Sequence, residues 1–436
     1  MNKSEHIFSK ALKYLPGGVS RNTIFRKPQP YYAERGEGCY VTDIEGVTRI
    51  DFANNMASLI HGHAYAPVVE GVSAQLAKGS CFTMATEVEV EYAELLCKRV
   101  PSFDKIRFVN SGTEAVMAML KAARAYTGKA KIAKVEGAYH GAYDYAEVSQ
   151  TATPSNWGDI DNPSSIPVAV GTPEKALEDV VIIPFNDVDR AIHILNQHKD
   201  ELACILVDLL PHRVGLIPAS EEFVCALRKW ADDNASLLVF DEVITFRTNY
   251  SGAQQNYSVD PDLTAMGKMI GGGFPTGALA GCDKVMKVLD PTEPKVLLPH
   301  SGTFSANPVT MTAGLIAMRD FDQQAVDRLN ALATYAREKI TTAIKEVGID
   351  ACVTGAGTMF RVHLKSQPPR NYREAYADKT ESALIKALLD HLFENGVMMI
   401  NTCSATLSTK MSKKEIDHLV SVLTSGFLLL KPKMSK

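Results

Sequence analysis

The sequence predicts an α/β fold with a large, mostly parallel sheet flanked by helices, followed by a smaller α+β unit. In the middle of the chain, short apolar runs alternate with helical patterns, as strands and helices do around a parallel sheet. After about Pro308 the pattern changes to long helices with a few short strand candidates. The 436 residues are also roughly two to three times the length of a typical domain, which suits a large domain joined to a smaller one.

The elements are predicted in order along the chain. The start is rich in Gly and Pro from Pro16 to Gly38 and strand-like from Cys39 to Thr42. The middle is predicted to contain the strand Lys105–Phe108, the helix Thr113–Thr127 closed by Gly128, the strands Ile132–Val135 and Val180–Pro184, the helix Val188–His198, the strand Ile205–Leu210, the helix Glu221–Asp232 and the strand Leu237–Val243. The last part is predicted to contain the helices Gln323–Val347, Thr380–Asn395 and Lys413–Leu429 and the strands Thr358–Leu364 and Val397–Asn401. We therefore expect an N-terminal arm and hairpin (1–45), a large domain (46–308) and a small C-terminal α+β domain (309–436).

Composition and charge exclude several classes of protein. Hydrophobic residues make up 46% and charged residues 22%, as in ordinary globular proteins. The formal net charge is -4, so there is no basic excess to neutralise a nucleic acid. No run approaches the roughly 18 apolar residues that cross a bilayer, and the first residues lack the apolar core of a signal peptide. We expect a cytoplasmic protein that binds neither nucleic acid nor a membrane.

The cysteines and histidines do not predict a metal site. The eight cysteines are scattered singly without a CxxC pair, so we expect reduced thiols that are mostly buried. His61 and His63 are spaced i, i+2 with no third ligand nearby in the sequence, which favours hydrogen-bonded loop residues. No metal is expected.

Four patterns lie at predicted strand ends, and each supplies something that a phosphorylated aldehyde cofactor needs. The first, NSGTE at 110–114, follows a strand and opens a helix, so its N–H groups and hydroxyls can bind a phosphate. An ordinary capping box, with Ser111 as the cap and Glu114 three residues later, fits the same residues equally well.

The second and third patterns supply an acid and an amine. Asp241 ends a strongly apolar strand, where a carboxylate is costly unless it pairs with a cation such as a pyridinium N–H. A solvated Asp just past the strand is the alternative. Lys268 is set in a run without charged neighbours from Leu263 to Phe274, where its pKa can be lowered and it can form an imine with an aldehyde. A surface Lys before a flexible Gly turn is the alternative here.

The fourth pattern is Tyr139-His140-Gly141, which follows a strand and a turn. An aromatic ring at this position can stack on a planar cofactor, or can simply pack at the rim of the core. The glycines after Lys268 do not form GxGxxG behind a strand, and GxxxxGK[ST] does not occur, so the dinucleotide and P-loop motifs are both missing.

Five segments carry a resemblance to a known family: NSGTEA (110–115), YHG (139–141), FDEV (240–243), DLTAMGKMIGGGFP (262–275) and HSGTFSANP (300–308). In this order they resemble the class III, fold type I aminotransferases that use pyridoxal 5′-phosphate. The resemblance covers nearly the whole chain, from about Leu15 to beyond Asp417. Within the class, the chain is most similar to the branch of glutamate-1-semialdehyde 2,1-aminomutase and the β-amino-acid (β-phenylalanine-type) aminotransferases.

The resemblance implies two catalytic residues, both in the large domain. Lys268 would hold the cofactor as an internal aldimine, a Schiff base, and would later move the proton between Cα and C4′. Asp241 would pair with the pyridine nitrogen and keep the ring protonated, so that it acts as an electron sink.

The resemblance also implies the residues that hold the cofactor. They are Ser111, Gly112 and Thr113 around the phosphate, Tyr139 stacked on one ring face, Val243 against the other, and Thr303, which reaches the phosphate of the neighbouring subunit. The last of these implies a homodimer with shared active sites.

Two substrate-facing segments depart from the aminomutase pattern. The segment 207–215 lacks the Glu-Pro pair and the Asn of the GNxG-like loop, and 401–408 lacks the Glu of the Phe-Glu-Ala-Gly-Phe stretch. LPGGVSRNTIF, at 15–25, is instead similar to the β-amino-acid enzymes, in which the Arg matching Arg21 takes the substrate carboxylate. Arg26 and Arg213 are rival anchors.

The main hypothesis is therefore an aminotransferase that moves an amino group between an amino acid, possibly a β-amino acid, and a keto acid. Alternatives on the same cofactor are an intramolecular aminomutase of the glutamate-1-semialdehyde type and an amino-acid racemase. A binding protein that has lost catalysis is disfavoured because the lysine, the aspartate and the phosphate loop are all intact. A nicotinamide-dependent oxidoreductase is disfavoured by the missing glycine fingerprint.

Overall fold

The computed structural model describes residues 3–434 and is organised around one large sheet. Within these residues the large sheet, here called the central sheet, has seven strands in the spatial order Lys105–Val109, Gly277–Gly281, Leu263–Gly267, Leu237–Asp241, Leu202–Val207, Lys131–Val135 and Val180–Ile183. Gly277–Gly281 runs antiparallel to both of its neighbours, and the other pairs are parallel. The predicted α/β fold with a mostly parallel sheet is confirmed.

Helices bury both faces of the central sheet. The helix Gly112–Thr127 packs on one face, and the helices Val188–Asn196 and Glu221–Asp233 pack on the other. The strand Leu202–Val207 is consequently buried at all six positions. A strand covered on both faces has apolar residues at every position. The sequence therefore predicts these strands by continuous apolar runs rather than by alternating apolar and polar residues.

Two central strands end earlier than the sequence predicts. The strands expected to run to Leu210 and Val243 end at Val207 and Asp241. The Oδ1 atom of Asp208 accepts the N–H of Leu210 at 2.9 Å, and Oδ1 of Asp241 accepts the N–H of Val243 at 3.0 Å. An aspartate that bonds the backbone two residues ahead turns the chain out of the sheet. The same kind of hydrogen bond, in which an aspartate accepts the backbone N–H two residues ahead, therefore ends both strands at the carboxyl edge of the central sheet.

The helices lie around this sheet and beyond it. The α-helices are Lys3–Ala11, Ala66–Leu76, Glu87–Arg99, Gly112–Thr127, Asp144–Glu147, Glu174–Glu178, Val188–Asn196, Glu221–Asp233, Asp283–Met286, Pro308–Asp320, Gln323–Val347, Tyr372–Ala375, Lys379–Glu394 and Lys413–Met434. Short 3-10 turns are Pro16–Gly18, Asn22–Ile24, His212–Val214, Thr245–Thr248, Ala253–Asn256, Lys268–Gly271 and Lys287–Leu289. Between residues 3 and 434, none of the helices combines the length and apolar character that crossing a membrane requires.

Smaller sheets complete the fold. One is the N-terminal hairpin extended by two strands, in the order Ala33–Glu37, Tyr40–Asp43, Thr48–Asp51 and Val397–Met398. Another consists of Cys352–Thr354, Met359–His363 and Ser404–Thr406, and a two-stranded ribbon joins Gly158–Asp159 to Asn162–Pro163. The predicted hairpin is present, and the expected strand at 397–401 is reduced to two residues that pair with the N-terminal part of the chain in parallel.

One buried arginine connects three distant parts of the chain. Arg247 is 0% exposed and lies in the 3-10 turn just after the central strand that ends at Asp241. Its guanidinium donates to Oγ1 of Thr358 at 2.7 Å, to the carbonyl of Ala57 at 2.9 Å and to the carbonyl of Leu407. Burial lowers its pKa to about 9, and within residues 3–434 no carboxylate forms an ion pair with it. Neutral acceptors alone therefore satisfy this cation.

The segment 54–57 forms a left-handed turn beside Arg247. All four residues have positive φ angles, from +45° to +71°, although none is glycine. Such backbone costs roughly 1–2 kcal/mol per residue. Specific bonds hold it: Oδ1 of Asp51 accepts the N–H of Asn54 at 2.9 Å, and the Asn54 side chain donates to the carbonyl of Thr406 at 2.7 Å.

Candidate active site

The predicted site residues converge at the carboxyl edge of the central sheet. Asp241 ends one strand, and Lys268 follows the adjacent strand Leu263–Gly267. Tyr139 lies in the loop behind another parallel strand, Lys131–Val135. Ligands bind at this edge in open α/β sheets, at the carboxyl ends of the parallel strands.

Asp241 is held in place by a histidine and by its own backbone. The side chain is buried, its Oδ2 atom lies 2.7 Å from Nδ1 of His140, and its Oδ1 atom accepts the N–H of Val243. Burial lowers the pKa of His140, while the bond to Asp241 opposes that shift. A neutral His140 that donates Nδ1–H orients the carboxylate without neutralising it, so Asp241 can still pair with a cation of a ligand.

Lys268 is a partly buried lysine on strained backbone. Its φ angle is +50°, in the left-handed region, and the chain enters a 3-10 turn there. Burial lowers the pKa of its amine, while the charges of Asp241 and Asp208 oppose that shift. Among residues 3–434 its Nζ atom has no hydrogen bond or ion pair, so the amine is available for covalent chemistry.

Asp208 belongs to the same cluster, although the sequence did not single it out. It is 4% exposed, and burial together with the charge of Asp241 raises its pKa well above the ordinary range. The available signal was an acid at the end of an apolar strand, the same signal that pointed to Asp241. Asp208 and Asp241 therefore both act electrostatically on Lys268, with Asp241 contributing the larger effect.

The segment 110–114 adopts the capping box that was the alternative to a phosphate site. Oγ of Ser111 accepts the N–H of Glu114 at 3.1 Å, and Oε2 of Glu114 accepts the N–H of Asn110 at 2.7 Å. These bonds leave the N–H groups of Gly112 and Thr113 at the positive end of a 16-residue helix. The capping box is therefore compatible with an anion site at these two N–H groups.

Close backbone packing brings Val243 and Lys268 to that helix end. A Cβ atom at Gly112 would lie 2.7 Å from Cγ1 of Val243, and one at Gly267 would lie 3.2 Å from the same atom. A side chain at Gly112 would therefore displace Val243. The two glycines place Val243 between the helix end and the backbone that precedes Lys268.

The remaining candidates lie around this centre. The Tyr139 ring is 38% exposed and packs edge-on against His212, with ring centroids 6.0 Å apart. Thr303 is exposed and makes no hydrogen bond within residues 3–434, although its neighbour Gly302 lies against the Asn110 side chain. Arg213 lies in the 3-10 turn His212–Val214, and its buried Nε atom has no partner.

The N-terminal arginines differ in their freedom to bind a substrate. Arg21 is exposed and donates to the side chain of Asn55 at 2.9 Å, without an ion pair among residues 3–434. Arg26 lies 3.5 Å from Asp390 and over the ring of Phe393, 4.3 Å from its centroid. Arg26 is therefore engaged in packing, which favours Arg21 as an anchor.

The two loop histidines are hydrogen-bonded. The ring nitrogens of His61 lie 2.9 Å from Oγ1 of Thr409 and 2.8 Å from the carbonyl of Ala317, and Nε2 of His63 lies 2.8 Å from Oδ2 of Asp51. These contacts engage both ring nitrogens of His61 and the Nε2 atom of His63, as expected for hydrogen-bonded loop residues.

A buried lysine holds the loop that carries Tyr139. Lys134 is 0% exposed, and its ammonium donates to the carbonyls of Ala138 at 3.0 Å and Val148 at 2.6 Å. Burial, with a smaller contribution from the charge of Arg213, lowers its pKa to about 7. Both ends of the loop are thus tied to one ammonium group.

Lys134→Met is expected to flatten the pH dependence of stability. Between pH 7 and pH 9 the unfolded chain binds a proton at Lys134 that the folded chain has released, so this residue makes the free energy of unfolding rise with pH. The rise is about 2 kcal/mol over that interval. Urea unfolding of wild type and variant at both pH values measures it. Lys131→Met, on the same strand but near the surface, is the control that keeps the slope, and an unchanged slope in Lys134→Met would contradict the expectation.

Comparison with known proteins places the chain in one family. The model of the family described as aminotransferase class-III matches residues 24–425. Glutamate-1-semialdehyde 2,1-aminomutase of Methanocaldococcus jannaschii is 36% identical over 431 residues, 98% of each chain. Among solved structures, an omega-transaminase from Sphaerobacter thermophilus is 44% identical with a TM-score of 0.96, covering 98% of this chain and 97% of that one. A structure titled as a transaminase with PLP bound is 40% identical with a TM-score of 0.91, covering 100% and 99%.

The sequence match covers most of the chain, and the similar structures span it almost from end to end. This protein therefore belongs to the class-III aminotransferase family.

Proposed function

We propose that this protein is a pyridoxal-phosphate-dependent aminotransferase that moves an amino group between an amino acid and a keto acid. The observation that carries the proposal is the unpaired amine of Lys268 beside the buried carboxylate of Asp241. One group can react with an aldehyde, and the other can pair with a protonated ring nitrogen. The family match and the similar transaminase that contains PLP support the same cofactor.

Lys268 and Asp241 divide the chemistry between them. When bound, pyridoxal phosphate supplies an electron sink for the electrons released as the Cα–H bond of the substrate breaks. Asp241, oriented by His140, would pair with the ring nitrogen and keep it protonated. Lys268 would hold the cofactor through its amine and would carry the proton to and from Cα of the substrate. Its lowered pKa leaves more of the amine neutral and able to act as a base.

The surrounding residues would hold and orient the cofactor. Gly112 and Thr113 would offer N–H groups, and Ser111 and Thr113 hydroxyls, to a phosphate at the helix end. Tyr139, which is partly exposed, would stack on one face of the pyridine, and Val243, which lies between two glycines, would contact the other.

The substrate anchors are the arginines predicted from the sequence. Arg21 has no acid partner among residues 3–434 and is proposed to bind the carboxylate of the amino acid, possibly a β-amino acid. Arg213 carries an unpartnered Nε atom near Tyr139 and is proposed as a second contact. Guanidinium groups suit this role because they bind carboxylates through two parallel hydrogen bonds.

We also propose a homodimer with shared active sites. Thr303 is exposed, and its neighbour Phe304 has 58% of its side chain exposed. Phe82 and Met84 add further exposed apolar surface, at 52% and 81%. Exposed apolar side chains support an interface where they form one continuous patch. Light scattering of the purified protein measures the assembly, and a monomer would reject Thr303 as a contact to a neighbouring subunit.

The test is a visible spectrum of the purified, cofactor-loaded protein before and after addition of α- and β-amino acids. The band of the bound aldehyde is expected to bleach with some amino acids, and borohydride reduction is expected to fix the cofactor on the peptide that contains Lys268. No band and no modified lysine after reconstitution would reject the proposal and favour a binding protein that retains only the fold.

An intramolecular aminomutase is the second candidate, because a relative with that name is 36% identical over nearly the whole chain. The two functions differ in their need for a second substrate. An aminotransferase stops after one half-reaction unless a keto acceptor is present. Steady product formation from glutamate-1-semialdehyde without an acceptor would establish the aminomutase instead.

A further inference from the structure

The segment 369–376 connects the C-terminal part of the chain to the loop that carries Tyr139. It follows the strand Met359–His363 of a smaller sheet and leads to the helix Lys379–Glu394. Two consecutive side chains of this segment reach the start of the loop, directly after the strand Lys131–Val135 of the central sheet. The ring proposed to stack on the cofactor is therefore connected to a distant part of the sequence.

Tyr372 packs its ring directly on the backbone of Gly137. The side chain is buried, and a Cβ atom at Gly137 would lie 1.9 Å from Cδ2 of that ring. The φ angle of Gly137 is +76°, which also favours glycine. The Tyr372 hydroxyl donates to the carbonyl of Ala152 at 2.6 Å and so fixes the ring. The backbone two residues before Tyr139 therefore lies against a buried aromatic ring.

Arg373 forms an ion pair of two parallel hydrogen bonds with the carboxylate that opens the loop. Its Nε atom donates to Oε2 of Glu136 at 2.9 Å and its Nη2 atom to Oε1 at 3.0 Å, across 237 residues of sequence. Glu136 is only 3% exposed. The same guanidinium donates to the carbonyls of Gly158 at 2.9 Å and Trp157 at 3.1 Å. Because a buried carboxylate is costly to leave unpaired, this contact holds position 136 in place.

The position of the Tyr139 ring depends on these contacts because its own side chain makes few. Among residues 3–434 its hydroxyl forms no hydrogen bond, and the ring is 38% exposed and meets His212 edge-on. The next residue, His140, is fixed by its contact with Asp241. The loop is thus held at its start by the segment 369–376, from within by the buried lysine described above, and at its end by Asp241.

The same segment packs on the turn that begins at His212. A Cβ atom at Gly215 would lie 3.0 Å from Cγ of Pro369 and 3.3 Å from Cβ of Ala375. The φ angle of Gly215 is +104°, so the turn also requires glycine there. One segment therefore contacts both of the loops that meet where the rings of Tyr139 and His212 touch.

We propose that Arg373 is a positioning residue, which sets the place of the Tyr139 ring on the cofactor through its ion pair with Glu136. The proposal rests on the aminotransferase function proposed above and adds to it a residue from outside the cofactor-binding loops. Arg373 acts through the backbone at 136–139 rather than by contact with the cofactor. Without the ion pair the start of the loop is free to shift, and the ring loses its stacking contact.

The test is a double-mutant cycle in cofactor affinity, measured by equilibrium dialysis of the cofactor-free protein with pyridoxal 5′-phosphate. Arg373→Met is expected to weaken the affinity by about 3- to 10-fold, the range of one aromatic stacking contact. In a Tyr139→Leu background the same change is expected to have less than about a 2-fold effect, because the ring that it positions is gone. Arg370→Met is the matched control: Arg370 lies in the same segment but pairs with Glu374 on the surface, so wild-type affinity is expected.

A second measurement separates positioning from a general loss of stability. The N–H of Gly137 donates to the carbonyl of Ser149 at 3.0 Å, so hydrogen exchange of the peptide that contains it reports on the loop. In the cofactor-free protein, Arg373→Met is expected to speed exchange there by about 10-fold or more and to leave the strand Leu202–Val207 unchanged. Equally faster exchange in both peptides would show that the ion pair only stabilises the fold, and would overturn the proposal.

Each outcome of the cycle decides the proposal. Wild-type affinity in Arg373→Met overturns it, and so does an equal loss of affinity in both backgrounds. If this variant does not fold, the cycle is repeated with Arg373→Lys, which keeps the charge but loses the two parallel bonds. A loss confined to proteins that retain Tyr139 then supports the proposal, and any other result overturns it. Failure of the aminotransferase function would appear separately, as the absence of borohydride labelling at Lys268 in the wild type.

Discussion

Replacing Lys268 with alanine is expected to lower turnover by about 10⁴-fold or more. The variant loses both the group that holds the aldehyde and the base that moves the proton, and within residues 3–434 no other lysine is placed beside Asp241. The cofactor is still expected to bind through the helix end, because that site does not use Lys268. Steady-state rates on cofactor-loaded protein, with an amino donor and a keto acceptor, measure the effect.

Lys284→Ala is the control, since Lys284 lies on the surface near Tyr126. It is expected to retain wild-type turnover and borohydride labelling. Full activity in Lys268→Ala would reject the assignment of the catalytic lysine, and labelling at another lysine would relocate it.

Replacing Arg247 with methionine is expected to destabilise the protein by about 4 kcal/mol or more. Methionine fills part of the volume but leaves Oγ1 of Thr358 and the carbonyls of Ala57 and Leu407 without their donor in a buried setting. The loss also frees the left-handed turn that contains Ala57 from one of its restraints. Urea unfolding monitored by circular dichroism measures the change, and loss of soluble protein would be the extreme form of the same result.

Arg370→Met is the matched control. Arg370 pairs with Glu374 on the surface, so its replacement is expected to leave the unfolding midpoint nearly unchanged. An Arg247→Met protein within about 1 kcal/mol of wild type would show that the three carbonyl and hydroxyl groups find other partners.

The central sheet and most of the candidate site could be predicted because their signals are local. A strand buried on both faces is a short apolar run, and a lysine or aspartate at its end can be identified from a few flanking residues. The bounds were less accurate where a side chain turns the backbone, as Asp208 and Asp241 do. Asp208 could not be identified from the sequence, because an acid after an apolar run gives the same local pattern whether its side chain lies beside another acid or in water.

Features that depend on distant partners could not be predicted. No residue near Arg247 in the sequence predicts bonds to positions 57, 358 and 407. The left-handed turn at 54–57 lacks glycine, the residue that usually signals positive φ, so its sequence predicted nothing unusual.

The pairing of Thr48–Asp51 with Val397–Met398 has a consequence for how the chain is made. During synthesis the hairpin leaves the ribosome long before its last strand, so one edge of this sheet stays open while more than three hundred residues are added. Arg247 likewise lacks its last acceptor until Leu407 has been added. The N-terminal part therefore completes its structure only near the end of translation, and a ribosome stalled before residue 397 would carry a chain with this edge exposed to other proteins.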